Sequence, residues 1–259
     1  MRQTGVTRTV TALRVAPVKS LGSVQRDRVR LEMQGVPEDR RLFLLRADGS
    51  VLTLRQHPQL TRVLPELDLA AGTLSVTFPD GATAISALTP TGDQVHARLF
   101  GKDRSGRLLP GPVADALSDY VAEPLRLVLA DSTGIGWDEG PVSILGGASA
   151  DAVAAPAEAG VPATERFRML VQVDGAEPYE EDSWVGNQVR LGAALVRITH
   201  RLQRCVVINH SPATGMKDWN GLKTLGGRGG RDICLGVIAE VNQPGDVLVG
   251  DPVEVLTEA

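Results

Sequence analysis

RLFLLR (41–46), ADGS (47–50) and VLTL (51–54) place two apolar runs on either side of an Asp48-Gly49 pair. That arrangement predicts a β-hairpin, because the pair tolerates the left-handed backbone a tight turn requires. The pattern repeats in TLSVTF (73–78), Pro79-Asp80-Gly81 and ATAISAL (82–88). Upstream, ALRVAPV (12–18) and RVRLEM (28–33) alternate apolar and polar residues as half-buried strands do. Spacing this regular favours a barrel or sandwich over a βαβ series.

Helical spacing first appears in VADALSDYV (113–121), closed by Pro124. An Ala-dense stretch from Ser149 to about Glu158 predicts a second helix, with Pro156 working against its latter half. Strand patterns return at RMLVQV (168–173), QVRLGAALVRIT (188–199), CVVIN (205–209), CLGVIAEV (234–241) and DVLVGDPVEVL (246–256). The expected fold is therefore α+β and β-rich, with a boundary near residues 125–130.

The 259 residues suffice for one large domain or two modest ones. A hydrophobic share of 42% and a charged share of 22% are those of a globular chain. Aromatics are only 3%, so the core must rest on Val, Leu, Ile and Ala. The net charge of −4 argues against a nucleic-acid partner. No stretch approaches the ~20 apolar residues of a membrane span, and MRQTGVTRTV (1–10) lacks the apolar core of a secretory signal. With two cysteines in a chain that needs no stapling, a cytoplasmic, reduced protein is expected.

Cys205 in RLQRCVVIN stands beside Arg201 and Arg204. It reads either as a small packed hydrophobe or, if those cations reach the sulfur, as a thiolate for a soft metal or an electrophile. Cys234 is flanked by apolar residues and reads as packing. His57, His96, His200 and His210 are scattered without zinc-ligand spacing, although the last two bracket Cys205. GGRGGRD (226–232) lacks the ending of a phosphate loop and reads as a loop beside a cleft. Lys19-Ser20 ends the first strand pattern; with Arg40 and Arg168 it is either a solvated strand end or an anion pocket. The four carboxylates of EPYEEDSW (177–184) read as a solvated loop.

PVKS (17–20), EDRRLFLL (38–45), TLRQHPQL (53–60), RFRMLVQVDGAEPYEEDSW (166–184), RCVVINHSPATG (204–215), LKTL (222–225) and VGDPVEVL (249–256) together resemble the MOSC family. The likeness is to proteins joining an N-terminal MOSC β-barrel domain to a MOSC domain, the group of the mitochondrial amidoxime-reducing component and its bacterial relatives. It covers nearly the whole chain and implies an N-terminal domain at 8–128 and a MOSC domain at 129–259.

The resemblance implies a pyranopterin molybdenum cofactor ligated by Cys205, with Lys19, Ser20, Arg40 and Arg168 around its pterin and phosphate and Gln203 as a further contact. A soft thiolate suits a metal already bound by sulfur. It implies reduction of N-hydroxylated small molecules by oxygen-atom transfer, fed by an external donor such as a ferredoxin or flavoprotein reductase. A sulfur carrier, a cofactor-handling protein and a cofactor-free binding protein are the alternatives. The chain departs from the family pattern where Leu170 replaces an Asn and where Asp138, Glu139, Gly140 and Pro141 lack its hydroxyls; the DPxTG turn reads SPATG.

Overall fold

The computed structural model describes residues 7–136, 139–154, 164–227 and 233–256. Chain order runs β1 (Thr9–Val15), β2 (Val24–Arg26), β3 (Arg28–Leu31), β4 (Leu42–Arg46), β5 (Leu64–Asp68), β6 (Thr73–Thr77), β7 (Thr83–Ala87), β8 (Gln94–Leu99) and β9 (Lys102–Leu108). After α1 (Pro112–Val121) come β10 (Leu125–Ala130), β11 (Val142–Gly146), α2 (Gly147–Ala154), β12 (Val171–Asp174), β13 (Gln188–Leu191) and β14 (Ala194–Gln203). The chain closes with α3 (Gly221–Gly226), β15 (Cys234–Gln243), β16 (Gly245–Leu248) and β17 (Val253–Leu256). The β-rich α+β class expected from the sequence is the one observed. No helix among the described residues is long and apolar enough to cross a membrane.

An eight-stranded sheet runs in the order β17-β13-β14-β15-β11-β12-β1-β2, antiparallel except for the parallel pair β11–β12. The first strands of the chain thus join the strands of its second half: β1 pairs with β12, and β3 pairs with β16. Val10, Leu13, Val15 and Leu31 are accordingly buried in one core with Val171, Val196 and Val237. The sheets β4-β10-β9-β8 and β5-β6-β7 build the other half. There Leu42, Leu44, Leu60 and Leu74 pack against Val113, Leu117 and Val121, the inward stripe of α1.

Both predicted turns form, with Gly49 at φ +82° and Gly81 at φ +87°. The second arm of the first hairpin falls short of a strand. Val51 makes a single bridge to Leu45, then the Thr53 N–H donates to Gln56 Oε1 and the chain turns away. QVRLGAALVRIT is two strands hinged at Gly192, not one, and DVLVGDPVEVL divides at Gly250. CVVIN is a correction of kind. Its β-branched run favours a strand locally, but Val206–Asn209 forms a helical turn. Buried Arg166 takes the carbonyls of Ile208 (3.0 Å) and His210 (3.1 Å), giving them partners outside any ladder. RMLVQV shortens to begin at Val171, because Arg168 sits at φ +55°. The predicted second helix is present from Gly147 to Ala154; its expected continuation to Glu158, most of the GGRGGRD run and Asp138 lie outside the described residues.

Candidate functional site

Lys19, Ser20, Arg40, Arg168, Gln203 and Cys205 all line a single cavity of about 210 Å³. Its walls come from both halves of the chain: residues 19–20, 39–40, 53–55 and 100 on one side, residues 139–143, 166–170 and 202–208 on the other. Of the six predicted residues, Lys19 and Cys205 lie farthest apart in the chain, 186 positions, and are thereby brought together.

The loop from β1 to β4 is fixed by backbone pairing. Val18 bridges Leu42 in parallel, and the Lys19 N–H donates to the Leu42 carbonyl at 2.8 Å. Asp39, almost fully buried, accepts from the Ala16 N–H at 2.8 Å with Oδ1, while Oδ2 pairs with Arg40 Nη1. Ser20 Oγ donates to the Leu52 carbonyl at 3.0 Å, tying this loop to the segment after the first hairpin. Lys19 and Ser20 are both buried; Arg40, Arg168 and Cys205 are half-buried, and Gln203 is exposed at the rim.

The cavity concentrates backbone strain. Six described non-glycine residues have positive φ, and four of them line it: Ser20 (+73°), Arg40 (+48°), Phe100 (+51°) and Arg168 (+55°). Each costs on the order of 1–3 kcal/mol, so the surrounding structure must over-determine the geometry. Strain of this kind collects at ligand clamps rather than in packing cores.

Cys205 follows the end of β14 and precedes the helical turn Val206–Asn209, in extended backbone (φ −118°, ψ 173°). Arg204 lines the cavity but is held by protein: it donates to the Phe167 carbonyl and to Met169 Sδ at 3.3 Å, and lies over the Phe167 ring. Burial pushes its pKa down to about 10, opposed by the nearby sulfurs of Cys205 and then Cys234, so it stays cationic at neutral pH. Its Nε, like that of buried Arg166, has no hydrogen-bond partner among the described residues. Arg201, the other cation the sequence placed near the sulfur, is exposed on β14 and does not line the cavity.

Several lining residues were missed in the sequence. Arg166 makes a bidentate pair with Asp218 (2.9 and 3.1 Å), and the Arg166 bond holds the Asp218 carboxyl below its usual range. Arg55, Phe100 and Ser143 also face the cavity. Arg166 and Arg55 had a signal, since they stand in the segments RFRML and TLRQHPQL. Among the described residues six basic side chains line the cavity against two acidic ones, Asp39 and Glu139, in a protein of net charge −4.

The remaining candidates lie elsewhere. His57 pairs with Glu123 at 2.7 Å, and no histidine lines the cavity. The carboxylate run is not wholly solvated: Glu181 is fully buried, accepting from Ser149 Oγ at 2.7 Å, and burial pushes its carboxyl up. Among the described residues no three His, Cys, Asp or Glu side chains cluster to hold a metal ion. Leu170, where the family pattern has Asn, is buried in the core with its N–H on Ser143 Oγ at 2.9 Å.

A β-rich protein with a basic, strained cleft carrying one cysteine between its two halves is the class that fold and site define. Residues 7–124 match the MOSC N-terminal beta barrel domain and residues 131–254 match the MOSC domain. The chain belongs to the family of proteins that join these two domains. The Homo sapiens protein "Mitochondrial amidoxime-reducing component 1" is 27% identical to it over 283 residues, covering 96% of this chain and 83% of that one. "Mitochondrial amidoxime reducing component 2" of Macaca fascicularis is 26% identical over 281 residues, covering 95% and 82%. The crystal structure of the YUAD protein from Bacillus subtilis aligns with a TM-score of 0.48 at 13% identity, covering 98% of this chain and 97% of that one.

Proposed function

We propose that the protein is a molybdenum-cofactor-dependent reductase of N-hydroxylated small molecules, with Cys205 as the protein's ligand to the metal. The observation that carries this reading is the convergence of one sulfur, a surplus of guanidinium groups and strained backbone on one cavity. That donor set suits an anionic, sulfur-bound cofactor. A soft thiolate matches a metal held by other sulfurs, and the partnerless buried Nε atoms of Arg166 and Arg204 favour negative charge nearby.

Lys19, Ser20, Arg40 and Arg168 would hold the pterin and phosphate, with Gln203 contacting it from the rim. Asp39 orients the Arg40 fork, and the Arg40 contact to the Arg168 carbonyl joins the two arginine loops. Arg204 keeps a fixed positive charge next to the thiolate of Cys205. When bound, the cofactor supplies a metal able to take up an oxygen atom. Reduction of an N–OH group breaks the N–O bond, consumes two electrons and two protons and releases water. The electrons come from an external donor, a ferredoxin or flavoprotein reductase in kind. Similarity to amidoxime-reducing components supports the substrate class.

The test is expression in a host that makes the cofactor, followed by elemental analysis, pterin fluorescence and reduction of benzamidoxime with a chemical donor. Wild-type protein should carry stoichiometric molybdenum and reduce the probe; Cys205→Ser should fold and lose the activity. A fully active Cys205→Ser protein defeats the assignment. Cyanide-labile sulfur on Cys205 without metal would make the protein a sulfur carrier instead.

A further inference from the structure

Three of the basic side chains lining the cavity are held by specific partners, and Arg55 stands apart from them. Arg40 is paired with Asp39, Arg166 with Asp218, and Arg204 with the Phe167 carbonyl. Arg55 is exposed, lines the cavity, and has no acidic partner among the described residues. Its guanidinium carbon lies 5.0 Å from the centroid of the Phe100 ring. Stacking on an aromatic face leaves the N–H edge of the fork available and limits its rotation, the state in which Arg recognises a carboxylate with two parallel bonds.

Phe100 is built for that task rather than for packing. It is 53% exposed, sits at φ +51° at the tip of the β8–β9 hairpin, and belongs to no hydrophobic core. The hairpin turns Val95, Ala97 and Leu99 against a core of its own half, and its tip reaches across to the other half of the molecule, where Lys102 Nζ donates to the Glu139 carbonyl at 3.3 Å. A strained, solvent-facing aromatic on a tethered tip is a costly arrangement unless it positions something.

We propose that Arg55, held by Phe100, is a subsite at the cavity rim for a carboxylate carried by the substrate. This rests on the reductase reading and narrows it: the preferred substrates are N-hydroxylated molecules whose far end is anionic. Arg55 touches the substrate; Phe100 is a positioning residue.

The test compares benzamidoxime with its 4-carboxylate derivative, which differ only in the group Arg55 would recognise. Affinities of both probes are measured by ligand-observed NMR with no electron donor present, and molybdenum content is measured on the same samples. Wild-type protein should bind the carboxylate probe more tightly than the neutral one. Arg55→Gln should lower that preference about tenfold, the low end for a charge-assisted pair because the rim is solvated. Arg55→Lys should recover only part of it, since a point charge lacks the fork. Phe100→Ala should reduce the preference and Phe100→Trp restore it, which a merely structural Phe100 would not do. An unchanged preference in Arg55→Gln overturns the subsite, and so does loss of molybdenum from that variant, which would make Arg55 a cofactor-holding residue. If wild-type protein shows the Arg55-dependent preference but never reduces either probe, the subsite stands and the reductase reading falls.

Discussion

Arg40 Nη2 donates to the carbonyl oxygen of Arg168 at 3.5 Å, across the cavity and 128 residues along the chain. Both residues are in left-handed backbone, and both loops are held there by main-chain bonds: Arg40 N–H to the Ala16 carbonyl at 2.7 Å, Arg168 N–H to the Glu165 carbonyl at 3.0 Å. The two halves therefore meet here through a pair of strained loops, each fixed by a bond within its own part of the chain. Each side contributes guanidinium to the same space, so positive charge is concentrated there in a protein whose net charge is −4.

Backbone strain at Ser20 gives an inverted order of substitution. Alanine removes the hydroxyl bond to Leu52 but keeps the penalty of φ +73°; glycine removes both. A left-handed non-glycine residue costs roughly 1–2 kcal/mol, and one hydrogen bond contributes about 1 kcal/mol. Ser20→Gly should therefore lie near wild type in urea unfolding, and about 1 kcal/mol above Ser20→Ala. Equal stabilities for the two variants would show that Ser20 is not strained.

Acid sensitivity should be written into Arg166 and Asp218. The folded Asp218 carboxyl is held below its ordinary value by the Arg166 bond. Above the unfolded value its contribution is fully present; it is lost as pH falls through the lower, folded value. The carboxylate is half-exposed, so solvent limits the contribution to about 1 kcal/mol. Denaturant melts of wild type and Asp218→Asn between pH 7 and 3 should show a gap that closes toward acid. A gap of constant size would remove the ion pair as its cause.

Much of this was legible in the sequence for a physical reason. Strands buried on one face, such as β6, and the amphipathic helix α1 alternate in ways that burial enforces. The hairpin β8–β9 was not read: β8 does alternate, with Val95, Ala97 and Leu99 turned inward, but its partner KDRSGRL is polar until Leu108 and offers no matching run. CVVIN misled because strand propensity is local whereas the carbonyl partners offered by Arg166 are 42 and 44 residues away. Lys19, Ser20, Arg40, Arg168, Gln203 and Cys205 were named by resemblance; spacing alone left Lys19, Ser20, Arg40 and Arg168 open between a solvated strand end and an anion pocket, and Cys205 open between packing and a thiolate. Arg55 lies within TLRQHPQL but Phe100 lies in no motif; their pairing exists only once the hairpin folds over the cavity.

Gly140 offers the most direct test of how this chain departs from its family's pattern. A Cβ at position 140 would lie 2.4 Å from Ile238 Cγ2, well inside contact distance. Ile238 is 3% exposed and β-branched, so it cannot rotate its methyl aside without leaving its rotamer. The space a hydroxyl residue would need is thus filled from β15. Gly140→Ser should destabilise by about 1–3 kcal/mol through overpacking, and Ile238→Ala by about 2–4 kcal/mol through the cavity it leaves. Combined, the clash disappears, and the double variant should be more stable than the sum of the singles predicts by about 1–2 kcal/mol. Urea melts of the four proteins measure that coupling. Simple additivity would mean that Gly140 is dictated by something other than Ile238.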